Sequence, residues 1–278
     1  MDRSVRAWWA DGGVRVVWVE ARGVIAETAR RHGVTPGTEA GLLRELVLAN
    51  LLLAAWVKGE ERATLQVRGL APTFSFYGEV DAAGAFRGRM TPGHAIGVEG
   101  LATAQMLTIK YDAVRELYRG QTAFEQDTLE LAFERHLRTS DQVDVAVSLR
   151  EDGRAVLLER MPDEPGRPTL DREAWTALRL ALDADPFVDV PTPEVGATAM
   201  WRGATLRVLE VTPLVFRCRC SDEKVHEMLA TLGRDALLAM ADEDHGAEIA
   251  CHFCAETRQV DEPTLRAIAA SVLLTDEH

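Results

Sequence analysis

The chain has 278 residues, of which 47% are hydrophobic and 27% charged, and its formal net charge at pH 7 is −13. This length exceeds the common domain size of roughly 100 to 200 residues, so we expect one large domain with a smaller one, in a protein of ordinary globular composition. Residues 161–278 hold 22 acidic and 11 basic side chains, which argues against nucleic acid as a partner because phosphate binding needs clustered Lys and Arg.

Apolar runs in the sequence are short. The longest one, LLLAAWV at 51–57, is far below the roughly 20 residues that span a bilayer. The N-terminal sequence mixes acidic and basic residues and lacks the apolar block of a secretion signal. We therefore expect a soluble cytoplasmic protein without a membrane partner.

The first 160 residues mix strand and helix patterns. Short alternating runs predict strands, and longer runs with helical spacing predict helices. The predicted strands are 14–19, 63–67, 73–80, 106–111, 143–149 and 154–160. The predicted helices are 38–58 and 127–138. Because the two kinds of element do not alternate strictly, the predicted fold class is α+β.

A segment rich in proline and glycine, MPDEPGRPTLD at 161–171, interrupts this pattern. Such a segment prevents regular hydrogen bonding and marks the end of a compact unit, so we predict a domain boundary there. The predicted parts are an N-terminal α+β domain at 1–165, a linker region at 166–213 and a small C-terminal domain at 214–278.

The linker region is predicted to contain a helix and then a strand. Asp171 is an N-cap candidate for a helix that places Trp175, Leu178 and Leu182 on one face. A strand-like run follows at 206–211. The prolines that end the helix are at 186, 191 and 193.

The small C-terminal domain is predicted to contain two helices and a strand. Ser221 can cap the first helix, which Gly233 ends, and a second helix at 234–242 leads to a strand at 247–251. The apolar face of the first helix is formed by Val225, Met228, Leu229 and Leu232. About sixty residues with so few large side chains do not fold well alone.

Four cysteines stand in two close pairs in this domain, separated by thirty residues. They are Cys218 and Cys220 in C-x-C, and Cys251 and Cys254 in C-x-x-C. Four thiolates are the ligands of a structural zinc site, so we predict one Zn²⁺ per chain, which would supply the folding free energy that the domain lacks. Free cysteines are also common as small buried apolar residues, but two tight pairs without a spare thiol favour a metal.

Charged residues near the cysteines leave other questions open. His226, His245 and His252 are expected at the surface, because four sulfurs already complete a tetrahedron. Arg217 and Arg219 either offset the charge of a zinc tetrathiolate or are simply exposed on a strand.

A disulfide within C-x-C would close a very small ring, and a strained disulfide is easily reduced. Such a bond would stabilise the fold little, but it could act as a reversible redox switch.

Several segments resemble the heat-shock protein 33 family, which consists of redox-regulated holdase chaperones. These segments are YDAVRELYRGQTAFEQDTLELAFE at 111–134, HLRTSDQ at 136–142, FRCRCS at 216–221 and LGRDALLAMADEDHGAEIACHFC at 232–254. The resemblance runs from the first predicted strand to the C-x-x-C. The spacing of the cysteine motif, C-x-C followed by C-x-x-C, is specific to this family.

The resemblance implies a non-enzymatic chaperone whose zinc domain is inactive while it is reduced and metal-bound. Hypochlorous acid, or peroxide together with unfolding stress, would join Cys251 to Cys254 and then Cys218 to Cys220. The zinc would be released, and the C-terminal domain and the linker, which packs on the N-terminal domain, would unfold. Homodimers would then bind unfolding client proteins without ATP.

The chain departs from the family just after its last cysteine. The family usually has a glycine there and aromatic residues a few positions later, whereas this chain has Ala255, Arg258 and Val260. We expect looser packing beneath the zinc site, which leaves the oxidation threshold open. Ser140-Asp141-Gln142 keeps the chemistry of the commoner Ser-Glu-Gln motif of the family.

Two other functions use the same cysteines. A thiol–disulfide oxidoreductase of the thioredoxin type would place CHFC at a helix N-terminus beside a βαβ unit, but here the motif follows a predicted strand. A zinc-ribbon module that binds nucleic acid is disfavoured by the acidic balance of residues 161–278.

Overall fold

The structure is a computed structural model that describes residues 1–71, 73–91, 101–166, 168–184, 199–201 and 204–272. The chain divides into two compact units, Met1–Arg217 and Cys218–His278. The first unit has two clusters of buried apolar side chains, and the second unit has one of its own. Among the helices described, none is long and apolar enough to cross a membrane.

Strands and helices do not alternate regularly along the chain, so the predicted α+β fold class is confirmed. The strands are β1 (Arg3–Trp9), β2 (Val14–Glu20), β3 (Arg62–Ala71), β4 (Thr73–Asp81), β5 (Ala85–Thr91), β6 (Leu101–Tyr111), β7 (Glu116–Asp127), β8 (Asp144–Leu149), β9 (Arg154–Arg160), β10 (Ala199–Trp201), β11 (Ala204–Pro213), β12 (Val215–Phe216), β13 (Gly246–Ala250) and β14 (Thr257–Asp261). The helices are α1 (Arg22–Arg31), α2 (Thr38–Leu52), α3 (Leu129–Thr139), α4 (Arg172–Ala184), α5 (Asp222–Ala230), α6 (Arg234–Glu243) and α7 (Glu262–Val272).

Two six-stranded sheets form the frame of the first unit. Sheet A has the order β10-β11-β1-β2-β9-β8 with antiparallel neighbours throughout. Sheet B has the order β12-β5-β4-β3-β6-β7, and only the pairing of β12 with β5 is parallel. Each predicted strand of the first 160 residues lies in one of these sheets.

Helix α2 lies at the centre of the first unit and contacts strands of both sheets. Its residues from Leu46 to Leu52 are buried on every side of the helix, as expected of a helix enclosed by a core rather than lying on a surface. The helix predicted at 38–58 is therefore confirmed up to Leu52, and a short 3₁₀ turn at Leu53–Trp56 follows it.

Helix α4, the predicted linker helix, packs on the face of sheet A that α2 does not contact. Its Trp175, Leu178 and Leu182 are buried against Trp18 and Leu158 of the sheet. The residues that alternate with these along β2 and β9 belong to the other cluster of buried side chains. Successive side chains of a strand point to opposite faces of the sheet, so these two strands contribute to both clusters. The predicted apolar face of this helix is confirmed.

The elements of the predicted linker region belong to the first unit by their contacts. β1 pairs along its whole length with residues 206–213 of β11, and β12 adds to the edge of sheet B beside β5. The second unit then begins at Cys218. The functional division into 1–165, 166–213 and 214–278 stays a prediction, and the prolines at 186, 191 and 193 lie outside the described residues.

The second unit contains α5, α6, the β13–β14 hairpin and α7. Ser221 caps α5 as predicted, because its Oγ accepts a hydrogen bond of 3.3 Å from the Lys224 N–H. Only part of the predicted apolar face of α5 is buried. Val225 and Leu229, one turn apart, enter the core, whereas Met228 and Leu232 are about half exposed. The prediction was wrong for these two residues because the only described helices packed on α5 are α6 and α7, which cover a narrow stripe.

Candidate metal centre

Two loops bring the four cysteines together. Cys218 and Cys220 lie between β12 and α5, and Cys251 and Cys254 lie in the turn between β13 and β14. The Sγ atoms of all four are within 4.8 Å of one another. Cys218 Sγ is 3.6 Å from Cys251 Sγ, and Cys220 Sγ is 3.4 Å from Cys254 Sγ. All four are free thiols.

The spacing of these sulfurs fits a tetrahedral zinc ion. Zn–S bonds of about 2.3 Å place the sulfurs of a regular tetrahedron about 3.8 Å apart. The two distances above are within a few tenths of an ångström of that value, and four soft ligands are the set that structural zinc prefers. In the described part of the chain, this is the one group of His, Cys, Asp and Glu close enough to hold a metal, and it contains no histidine.

The C-x-x-C turn is closed by backbone hydrogen bonds. Ala255 N–H donates to the Cys251 carbonyl oxygen at 2.8 Å, and Cys251 N–H donates to the Glu256 carbonyl oxygen at 2.9 Å. Ala255 has a φ of 54°, a conformation that favours glycine. Glycine would adopt this turn without strain, whereas Ala255 adopts it under strain.

The position of the C-x-x-C also bears on the rival thiol–disulfide exchange activity. In that chemistry the first cysteine is activated at the N-terminus of a helix. Here the motif joins two antiparallel strands of a hairpin, and the next helix, α7, begins only at Glu262. The local structure is that of a ligand loop.

The thiols differ in how readily they ionise. Burial raises the pKa of the Cys218 thiol and, more strongly, that of Cys254, which is only 2% exposed. Burial also opposes the ionisation of Cys251, but hydrogen bonds from the backbone N–H groups of Cys254 and Phe253 and from neighbouring thiols lower its pKa to about 7. The thiolate is the form that binds metals, so the backbone of this turn favours the form of Cys251 that could act as a ligand.

Charged side chains approach two of the sulfurs. Arg258 Nη2 is 3.8 Å from Cys220 Sγ, and Arg258 Nη1 donates to Asp222 Oδ1 at 2.5 Å. Glu256 Oε2 is 3.9 Å from Cys254 Sγ and 3.8 Å from Arg258 Nη2. The sequence left open whether Arg217 and Arg219 are cations for the site or simply exposed, and it gave no signal for Arg258, which is 38 residues from Cys220 along the chain.

The Ser140-Asp141-Gln142 motif occupies the end of α3 in the first unit. Asp141 forms an ion pair of 2.9 Å with Lys110 of β6, and both side chains are mostly buried. Nearby, the buried ring of His136 lies between the hydroxyls of Thr108 and Thr122, at 2.8 and 2.9 Å. Burial lowers the pKa of His136 to about 4. These contacts fix α3 on sheet B.

Comparisons with known proteins agree with this description. The family model described as Hsp33 protein matches residues 2–261. A protein of Lactiplantibacillus plantarum named 33 kDa chaperonin is 30% identical, over 91% of this chain and 92% of its own. A protein of Levilactobacillus brevis with the same name is 29% identical, over 93% and 94%. The crystal structure of a 33 kDa chaperonin (heat shock protein 33 homolog) from Thermotoga maritima superposes with a TM-score of 0.77 over 99% of both chains, at 15% identity.

Proposed function

Because the chain belongs to the Hsp33 family of chaperones, we propose that it is a redox-regulated holdase, which is activated by oxidation and protects unfolding proteins without ATP. The observation that carries this proposal is the group of four free thiols, with every Sγ within 4.8 Å of the others, in a unit that has a small core. Such a group can bind a metal when it is reduced and form disulfides when it is oxidised.

In the reduced state, the second unit depends on its metal. Its described core has only eight buried apolar side chains, and four of them are the small residues Val225, Ala241, Val260 and Ala269. A core of this kind contributes little beyond the conformational entropy that folding costs. One zinc ion bound by Cys218, Cys220, Cys251 and Cys254 would supply about 10–16 kcal/mol of apparent folding free energy.

Oxidation removes the ligands themselves. Two thiolates and one hydrogen peroxide, with two protons, give one disulfide and two waters, so each disulfide takes two ligands from the site. We propose the pairs Cys251–Cys254 and then Cys218–Cys220. The reduced geometry is compatible with this pairing but also with others, since all four sulfurs are mutually close. The pairing is supported by order of events, because once one pair has reacted and the loop loosens, closure favours the nearest remaining partner.

The surface that would hold clients lies beneath α4. If the linker unfolds, Trp175, Leu178 and Leu182 leave sheet A, and the apolar face around Trp18 and Leu158 becomes exposed. An apolar patch of this kind binds other apolar chains.

An ion pair connects α4 to α3 within the first unit. Arg179 donates at 2.5 Å to Glu134 on α3, and the other carboxylate oxygen of Glu134 accepts from the Val147 N–H of β8. This mostly buried contact would be lost together with the apolar contacts of α4, so we expect the release of the helix to be cooperative.

The remaining parts of the proposal follow from the same chemistry. A thiol site that must be reduced to hold its metal suits a reducing compartment, so we propose that the protein acts in the cytoplasm during oxidative stress. We propose that its partners are unfolding client proteins and, after oxidation, a second copy of the chain. We propose neither an enzymatic activity nor a nucleic-acid or membrane partner.

The test compares one preparation in two redox states. Zinc-loaded reduced protein and peroxide-treated protein are each added to a thermally unfolding client, and light scattering follows aggregation without ATP. We expect the oxidised protein to suppress scattering and the reduced protein to do so poorly, and re-reduction with zinc should reverse the effect. Equal suppression in both states, with zinc confirmed in the reduced sample, would contradict the proposal.

A further inference from the structure

The two cysteine pairs have neighbours of opposite charge. The guanidinium of Arg258 lies 3.8 Å from Cys220 Sγ, whereas the carboxylate of Glu256 lies 3.9 Å from Cys254 Sγ. Arg258 is held in this position by its hydrogen bond to Asp222, and its side chain is 21% exposed. One sulfur therefore meets a cation and another meets an anion.

These contacts act on a thiolate in opposite ways. A cation stabilises the negative charge of a sulfur ligand, whereas a carboxylate at the same distance destabilises it. Asp222 and Glu256 share the charge of Arg258, so each effect on a sulfur is partly screened. Glu256 also donates its backbone N–H to Cys254 Sγ, which favours the thiolate, but this donor stays when the side chain is exchanged, so the carboxylate alone is what contrasts with the cation beside Cys220.

We infer that Arg258 and Glu256 are positioning residues that set the order of thiol oxidation, Arg258 by retaining Cys220 as a ligand and Glu256 by loosening Cys254. This inference rests on the proposed function and adds to it a control by two charged side chains of this chain. The order follows from two charged side chains instead of from the spacing of the cysteines.

The first oxidation then takes place at the C-x-x-C turn. Cys251, which is more exposed than Cys254, attacks one oxygen of a peroxide. The O–O bond breaks, an S–O bond forms, and the leaving hydroxide takes up a proton to become water. The loosened Cys254 thiolate attacks the sulfur of this sulfenic acid, so the S–S bond forms, the S–O bond breaks, and the leaving hydroxide takes up a second proton to become water. The two sulfurs lose two electrons and the peroxide gains them.

Two substitutions separate the roles. Arg258→Gln removes the cation from Cys220 and leaves Glu256 unopposed, so we expect zinc transfer to a chromogenic chelator to become about fivefold faster, the scale of one partly screened charge contact. Glu256→Gln removes the anion from Cys254, so we expect transfer to become slower by a similar factor. Both should reduce the preference for oxidising Cys251 and Cys254 first, measured by timed alkylation and peptide mapping after addition of substoichiometric peroxide.

Matched controls exist in the same unit. Arg266 forms comparable exposed ion pairs with Asp242 at 2.5 Å and Glu262 at 2.9 Å, and Glu248 accepts a hydrogen bond from Gln259. Arg266→Gln and Glu248→Gln change the net charge by the same amounts as the test variants, and neither residue is among the described contacts of the sulfurs. We expect both to behave like the unaltered chain. Arg258→Lys, which keeps the charge, should preserve most of the order.

The outcomes distinguish this inference from the proposed function. Opposite changes in zinc transfer for Arg258→Gln and Glu256→Gln, with a reduced preference in both, would support it. If Arg258→Gln does not hold zinc, Glu256→Gln and Arg258→Lys decide the matter by the same criteria. Variants that match their controls would overturn the inference while leaving the proposed function intact. An unaltered chain that binds no zinc would overturn both.

Discussion

Replacing Ala255 by glycine should stabilise the zinc-bound second unit. Ala255 has a φ of 54° and closes the C-x-x-C turn through its N–H bond to the Cys251 carbonyl. An L-residue pays about 1–2 kcal/mol in this left-handed region, a cost that glycine avoids. Glycine in turn loses about 0.4–1 kcal/mol through the greater freedom of the unfolded chain. The difference is a net stabilisation of about 0.5–1 kcal/mol, or zinc binding that is about two to five times tighter.

The assay is a competition for zinc with a chelator of known affinity, run on reduced protein with and without Ala255→Gly. Ala250→Gly is the matched control, because Ala250 lies in β13 with extended backbone, where glycine should destabilise by about 0.5–1 kcal/mol. Weaker or unchanged zinc binding by Ala255→Gly, with the control behaving as expected, would refute the reasoning that the turn is strained.

Three further predictions concern single residues of the two units. Cys254→Ser should reduce zinc affinity severely, since it opens the tetrahedron, and a variant with tight stoichiometric zinc by metal analysis would contradict this. His136 should cost the first unit about 3 kcal/mol of stability as the pH falls from about 6.5 to about 4, because its buried ring stays neutral in the folded state while the unfolded chain takes up the proton. The free energy of unfolding, measured with urea across this pH range, should depend less on pH in His136→Gln. Leu182→Ala should destabilise the packing of α4 by about 2–5 kcal/mol and raise the chaperone activity of the reduced protein, and reduced protein with unchanged activity would argue against α4 as the cover.

Much of the fold could be predicted because its signals are local. The alternation in β2 and β9 identifies strands, and the spacing of Trp175, Leu178 and Leu182 identifies the buried face of α4. β5 and β7 were not predicted, because arginine, glycine and other polar residues interrupt their apolar pattern. Their structure comes from pairing with β4 and β6, which no local pattern contains. β11 was predicted at 206–211, but its pairing with β1, at the other end of the first unit, could not be predicted.

The candidate site shows a similar limit. The spacing of the cysteines is sufficient to identify Cys218, Cys220, Cys251 and Cys254 as a possible ligand set, because soft ligands in close pairs have few other uses. The neighbours that distinguish one sulfur from another could not be predicted. Arg258 reaches Cys220 only because the β13–β14 hairpin and the N-terminus of α5 are folded together, and this tertiary contact leaves no periodic signal in the sequence.

The central claim is that oxidation of the four thiols releases the metal and thereby activates the chaperone. A stepwise peroxide titration of the reduced protein tests it most directly, with zinc release, free thiols and suppression of client aggregation measured in each sample. We predict one zinc and four thiols per chain at the start, and a gain of chaperone activity that follows zinc release as the thiols are lost. Full activity in samples that still hold their zinc, or complete thiol loss without activity, would contradict the account.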